Sequence, residues 1–293
     1  MYAITGITGK VGGALAKALI EAGEPVRAVL RDPAKAEIWR KRGCEIAFAD
    51  MGDATQLAAA FKAATGIFIL PPSEFDPAPG YPEAAKQNDV LTTALLAARP
   101  ERVVCLSTIG ADADVDNLLS QRTMLEEALG GLDLPVTFLR PGWFMENAAW
   151  DVASARDEGV LHSFLQPANK TFAMVSTQDI GRLAADLIRE QWIGKRVVEL
   201  EGPARVSPND LANAFALVLG HPVRVEIVPR ESWEDLFRAQ GTRHPQPRMR
   251  MLDGFNEGWI DFKADGGNHA RGTTSLEQVI EALVRQVAAS ETA

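Results

Sequence analysis

Three glycines at a spacing of three, Gly6, Gly9 and Gly12, open the chain. Glycines in such a row suit the holding of a phosphate. One lets the backbone turn back on itself. The next lets a pyrophosphate approach the first N–H groups of a helix, where the helix dipole favours negative charge. The last lets helix and strand pack closely. Thr8, Lys10 and Val11 fall inside the turn and complete the expected contact set with Gly6, Gly9 and Gly12. The spacing is G-x-x-G-x-x-G, not G-x-G-x-x-G, and a tight turn with no ligand carries the same pattern. The context favours a dinucleotide cradle: apolar Tyr2-Ala3-Ile4 lies before it and an apolar helical pattern over residues 11–22 after it.

The end of the second expected strand, residues 25–31, addresses the choice of dinucleotide. A carboxylate there binds the ribose 2′-hydroxyl, whereas arginine accommodates a 2′-phosphate. The residue is Arg31, with Lys35 one helical turn on, while Asp32 is better placed as a helix cap. This favours NADP(H) over NAD(H), unless Arg31 is only a solvated strand-end charge. Asp50, followed by Met51, ends the third strand and either meets the adenine amino group or caps the next turn. Leu70, Pro71 and Pro72 follow the fourth strand and should pass close to the dinucleotide. Pro141, Gly142 and Trp143 follow the sixth and should pass near the nicotinamide. Ser107, at the end of the fifth, either bonds a substrate carbonyl or the ribose, or caps a turn. Trp143, Phe144 and Phe164 either offer flat surfaces to an aromatic acceptor or belong to the core. The histidines show no metal-ligand spacing, and no G-x-S-x-G elbow occurs.

These residues need a frame that brings loop ends to one edge. Apolar runs at 2–4, 25–31, 45–50, 66–70, 102–107 and 136–140 alternate with helical patterns at 11–22, 33–42, 53–64, 83–98 and 118–129. That alternation with short links predicts an α/β fold: a Rossmann-type, doubly wound parallel sheet with ligands at the carboxyl ends of its strands. Residues 73–82 are a proline-rich loop. Past Trp150 the rhythm breaks. Strands are expected near 197–200 and 223–228, and helices at 207–219, 231–239 and 276–287. Residues 241–272 read as mostly loop. The chain therefore divides into a dinucleotide-binding domain, residues 1–150, and a smaller α+β substrate-side lobe, residues 151–293, whose strands are free to interleave with the first.

The composition is that of an ordinary globular chain, with 46% apolar and 24% charged residues over 293 positions. A net charge of −9 argues against direct contact with nucleic acid. No apolar run reaches the length of a membrane span, and no signal peptide is visible, so the cytoplasm is the expected location. Cys44 and Cys105 fall in strands and read as reduced core residues. Monomer and homodimer both stay open.

Several stretches carry a family resemblance. Gly6-Ile-Thr-Gly-Lys-Val-Gly12 resembles the T-G-x-x-G motif of short-chain dehydrogenases, in particular the atypical NmrA-like group. Leu30-Arg31-Asp32-Pro33, Phe48-Ala49-Asp50 with Gly52-Asp53, and Leu139-Arg-Pro-Gly-Trp-Phe-Met-Glu-Asn147 are similar to that group's pattern, in the same order. The group includes quinone, azo-dye and triphenylmethane reductases as well as redox-sensing regulators. The resemblance implies a Rossmann sheet with a small substrate-side lobe, and marks Asn147 as a substrate or loop contact. One departure matters. Typical short-chain dehydrogenases donate a proton from a Tyr-x-x-x-Lys pair, and neither Tyr2 nor Tyr81 has a lysine four residues on. By position the pair would fall near Leu118 and Arg122. Arg122 is either a ribose or substrate contact or a surface helix charge.

Nicotinamide carries its own redox chemistry, so the missing tyrosine does not exclude hydride transfer. Quinones and cationic dyes accept hydride readily and take their proton from water. The first expectation is an NADPH-dependent reductase of a small aromatic acceptor, with Ser107, Arg122 and Asn147 as candidate catalytic residues. The second is a non-catalytic NADP(H) sensor acting through a protein partner.

Overall fold

The computed structural model describes residues 1–263 and 268–291. In chain order the first part runs β1 (Tyr2–Ile4), α1 (Lys10–Glu21), β2 (Val26–Leu30), α2 (Ala36–Lys41), β3 (Glu45–Phe48), α3 (Ala54–Phe61), β4 (Gly66–Ile69), α4 (Pro82–Ala98), β5 (Arg102–Leu106), α5 (Ser120–Gly130) and β6 (Val136–Pro141). There follow β7 (Trp143–Phe144), a 3₁₀ segment (Met145–Asp151), α6 (Val152–Glu158), β8 (Val160–Ser163), β9 (Met174–Val175), α7 (Thr177–Arg189) and β10 (Lys195–Glu201). The chain ends with α8 (Pro208–Leu219), β11 (Arg224–Ile227), α9 (Trp233–Ala239), α10 (Gln246–Glu257), β12 (His269–Arg271) and α11 (Leu276–Glu291).

Eight strands form one sheet in the order β12-β10-β6-β5-β4-β1-β2-β3, every neighbouring pair parallel. The order reverses between β1 and β4, which makes that edge the topological switch point. Side chains alternate into two buried layers. Ile4, Phe68, Val104, Leu139 and Val198 face α1, α2 and α7, while Ala3, Ile67, Ile69, Cys105 and Phe138 face α3, α4 and α5. Burial on both faces accounts for the continuous apolar runs of β4 and β5.

β10, β12 and α7 lie beyond residue 150 yet join this sheet and its helical layer. The division at 150 thus separates chain segments but not layers. A third core gathers α6, α8, α9, α10 and α11 around Phe215, Trp233, Phe237 and Phe255. β8 pairs with β11 and β7 with β9 in small parallel ladders beside it. The expectation of mostly loop over residues 241–272 is corrected: Gln246–Glu257 is helix α10 and His269–Arg271 is strand β12. Residues 264–267 of that stretch lie outside the described residues. Pro247 sits in the first turn of α10, where a helix tolerates it. Gly254 leaves room for Ile260 and Trp259, whose side chains stand 2.6–2.7 Å from where its Cβ would be.

α7, in a stretch where no helix was expected, packs along α1. The contact is close because Gly181 has no side chain: a Cβ there would lie 2.5 Å from Ala14 Cβ and 2.6 Å from the Leu15 nitrogen. The loop after β4 is tied down at several points. Arg122 donates from Nη2 to the Pro71 carbonyl (3.2 Å) and Ser73 Oγ (2.7 Å), and Gln121 donates to the Glu74 carbonyl (2.9 Å). Asp76 reaches the α9–α10 link, accepting from the Arg243 nitrogen (3.0 Å), the His244 nitrogen (2.6 Å) and Arg243 Nε (3.1 Å).

Two outcomes follow from these contacts. Alanine for glycine in an exposed helix interior stabilises by about 1 kcal/mol. Gly181→Ala is expected to do the opposite, costing about 1–3 kcal/mol by overpacking, read as a lower melting temperature. An unchanged or raised melting temperature would show that the helices shift apart freely. The second outcome concerns Asp76, whose carboxyl is held down at about 2, first by the Arg243 N–H. That is below the unfolded value of about 3.9, so its stabilisation is present above about pH 4 and lost as pH falls toward 2. In urea denaturation, Asp76→Asn should be less stable than the parent protein at pH 7, with the gap closing between pH 4 and pH 2. A gap that is the same at pH 7 and pH 2.5 would exclude the carboxylate charge as its cause.

Candidate functional site

The switch-point edge is built from Thr5 outward. Its Oγ1 donates to the Phe68 carbonyl (3.2 Å) and accepts from the Leu70 nitrogen (2.8 Å), fastening β1 to β4 where they end. The chain then turns through Gly6 at φ +63°, a conformation that favours glycine. The Gly9 nitrogen donates to the Gly6 carbonyl (2.9 Å), closing the turn. A Cβ on Gly12 would stand 2.4 Å from that same carbonyl oxygen, so α1 can start this near β1 only with glycine there. Gly9 is the N-cap and offers no side-chain cap. Among the described residues the N–H groups of Lys10, Val11 and Gly12 have no acceptor. Thr8, Gly9 and Lys10 are exposed, and the Lys10 ammonium makes no ion pair among the described residues.

α7 begins at the same edge and differs in one respect. Its N-terminus is closed by protein groups. Ser176 Oγ accepts from the Asp179 nitrogen (3.0 Å), and both carboxylate oxygens of Glu146 accept from the Thr177 nitrogen (2.9 Å each). Thr177 Oγ1 donates to Glu146 as well (2.6 Å). A carboxylate there neutralises the positive end of the helix. The α1 terminus is left positive and open.

Between these two helix ends lies a cleft of about 210 Å³ lined by Lys10, Val11, Leu70, Phe144, Glu146, Asn147 and Thr177. It brings together five expected site residues: Lys10, Val11, Leu70, Phe144 and Asn147. Glu146, Thr177 and Thr5 were missed. Glu146 lies inside the residue 139–147 stretch, and Ser176 before Asp179 is a legible cap, so both had a signal. Phe144, rather than Trp143, supplies the aromatic wall. Trp143 packs edge-on against Phe255 with ring centroids 5.2 Å apart, and Phe164 packs against Trp233 and Phe237.

The remaining expected residues fall elsewhere. Arg31 and Lys35 are exposed past the end of β2, with no ion pair among the described residues, and Asp32 caps the turn through Ala34 (2.9 Å). Asp50 Oδ1 accepts from the Gly52 nitrogen (2.7 Å), forming the turn cap, and the Met51 carbonyl accepts from the Gln87 amide. Pro71 is buried, Pro72 exposed, and the Pro141 carbonyl accepts from the Ile109 nitrogen (2.9 Å).

Two of the three catalytic candidates are engaged by the protein. The Ser107 hydroxyl donates to Glu126, which holds Arg140 through two bonds of 2.9 and 2.6 Å. Arg140 continues to Asp112 (3.3 Å), which meets Lys263 (2.9 Å). Arg122 is half-buried and is not among the residues lining the cleft: it is desolvated, which pushes its pKa down, and it grips the Pro71 loop. Tyr81 points its hydroxyl at Asp116 (2.8 Å) and the Asn117 carbonyl (2.9 Å), and Tyr2 starts β1 at the opposite edge. No phenol reaches the cleft among the described residues.

A chain is similar to others when both sequence and fold agree, and here they do. An NAD(P)H azoreductase of Xenophilus azovorans is 25% identical over 246 residues, 82% of each chain. Quinone oxidoreductase 2 of Escherichia coli (strain K12) is 27% identical over 244 residues, again 82% of each. Among solved structures, an NADPH-dependent quinone oxidoreductase of Escherichia coli in complex with NADPH superposes with a TM-score of 0.79 at 23% identity. That match covers 97% of this chain and 99% of the other. The NmrA-like family pattern matches residues 2–260, and the chain belongs to the NmrA-like family.

Proposed function

We propose that this protein is an NADPH-dependent reductase that passes hydride to a quinone-like or dye-like aromatic acceptor. The observation that carries the reading is the open N-terminus of α1. It lies behind a glycine turn at the switch point, beside a cleft with an aromatic wall. Unpaired N–H groups at a positive helix end suit a pyrophosphate, and at Gly9 only the Gly6 carbonyl oxygen, at 3.3 Å, stands near where a Cβ would be, which leaves room for its approach. Lys10 adds a cation. Arg31 and Lys35, without an ion pair among the described residues and with Asp32 already used as a cap, suit a 2′-phosphate. When bound, the nicotinamide supplies the hydride. The chain's own part is to hold it and to shape the space: Leu70 and Val11 on the apolar side, Phe144 as a flat surface, Asn147 as a hydrogen-bonding group.

The absence of a phenol at the cleft supports acceptors that take their proton from water, as quinones and dyes do. The azoreductase and quinone oxidoreductase among its relatives point to the same acceptor class. No helix among the described residues is long and apolar enough to cross a membrane.

The purified protein, given NADPH and a panel of quinones and azo dyes, is expected to show acceptor-dependent loss of nicotinamide absorbance. No loss above the blank with any acceptor would overturn the reductase reading and leave cofactor sensing. Arg31→Glu is expected to weaken NADPH binding by about 10- to 100-fold, the worth of one or two charge-assisted hydrogen bonds, and NADH far less. Equal weakening of both would show that Arg31 does not meet the phosphate.

A further inference from the structure

A second cleft, of about 480 Å³, shares Lys10, Glu146 and Thr177 with the first, so the two lie side by side. One wall is the start of α7. The other is a single face of α11, where Gln278, Val279, Ala282, Leu283 and Gln286 follow helical spacing. Val279 and Leu283 are nearly buried in the lobe core and give this wall an apolar floor.

The polar groups around that floor are unequal. The Lys10 ammonium and the side chains of Gln178 and Gln286 have no hydrogen-bond partner among the described residues. Gln278 accepts from the Ser275 nitrogen through Oε1 (2.9 Å), which leaves its amide N–H groups open. Arg182 gives only Nη1 to Asp179, at 3.4 Å, and half of its side chain is exposed. The one carboxylate among the lining residues, Glu146, is held by the Thr177 nitrogen and hydroxyl. Among the described lining residues the cleft therefore sets two cations, Lys10 and the Asp179-paired Arg182, and several open N–H groups against one carboxylate, Glu146, whose oxygens are taken up by Thr177. A ligand complementary to it is flat and apolar on one side and ends in an oxyanion.

We propose that this second cleft binds the sulfonate or carboxylate substituent of an aromatic acceptor whose ring system reaches the first cleft. The proposal rests on the reductase reading for the role of the ligand, but the binding itself does not need turnover. Charge on the acceptor then sets specificity through Arg182 of α7 and Gln278 and Gln286 of α11, which stand outside the dinucleotide cradle, whereas Lys10 is shared with it.

The test pairs a neutral with an anionic probe: 1,4-naphthoquinone and 1,4-naphthoquinone-2-sulfonate, reduced at saturating NADPH. Gln278→Glu keeps an acceptor for the Ser275 nitrogen, and Gln286→Glu sits on an exposed helix face, so both place negative charge in the wall with the helix intact. Each is expected to lower the sulfonate-to-neutral ratio of kcat/KM by about tenfold, through KM, as like charges at a binding surface do. Arg182→Gln should lower the same ratio. Titration calorimetry with naphthalene-2-sulfonate and the NADP⁺-loaded protein reads the binding alone, and the same variants should weaken it. An unchanged ratio with unchanged calorimetric affinity overturns the second cleft and leaves the reductase standing. Turnover of neither quinone, with sulfonate binding still weakened by the variants, overturns the reductase and leaves the cleft standing.

Discussion

Helix α1 begins in contact with the strand it leaves, and the rest of the switch-point edge depends on that contact. The Gly6 carbonyl occupies the place where a Cβ of residue 12 would go. Any side chain at that position would lift the first turn away from β1 and β4. On its other side α1 meets Gly181 of α7 at similarly short range. The helix is held between a strand and a second helix by positions that carry no side chain. Its N-terminal N–H groups are thereby fixed in space, and a fixed set of donors binds an anion without first being ordered.

Two parallel helices open toward the same edge, and side-chain chemistry decides which one stays available. Glu146 closes α7 and leaves α1 open. The same carboxylate lines both clefts, with its oxygens turned to the Thr177 nitrogen and hydroxyl. Ser107 and Arg122 show a comparable division of labour. One joins the Glu126–Arg140 pair under the sheet edge, and the other fixes the Pro71 loop. Both hold the frame of the site without facing its cleft.

Much of the frame could be read locally. Strand and helix periodicity over residues 1–141 matched the elements to within a few residues, because each run buries a face that its own spacing defines. The region past Trp150 was harder. α10 contains Pro247 and Gly254, which read as breakers until Ile260 and Trp259 are seen filling the space above Gly254. α7 carries its own cap in Ser176 and an apolar stripe through Ile180, Ala184, Leu187 and Ile188 just ahead of the strand expected at 197–200, so its signal was local and legible.

By itself, then, the sequence determined the glycine turn, the parallel alternation, the arginine after β2 and the lack of a tyrosine–lysine pair. These are properties of residue type and spacing within one stretch of chain. The tertiary structure decided which polar groups remain open. Asp32 and Asp50 act as caps, Ser107 is a partner of Glu126, and Glu146 closes the start of a helix 31 residues on. Whether a donor or acceptor faces a ligand depends on what else lies within about 3 Å of it. Such neighbours come from distant parts of the chain and are set only when the layers pack.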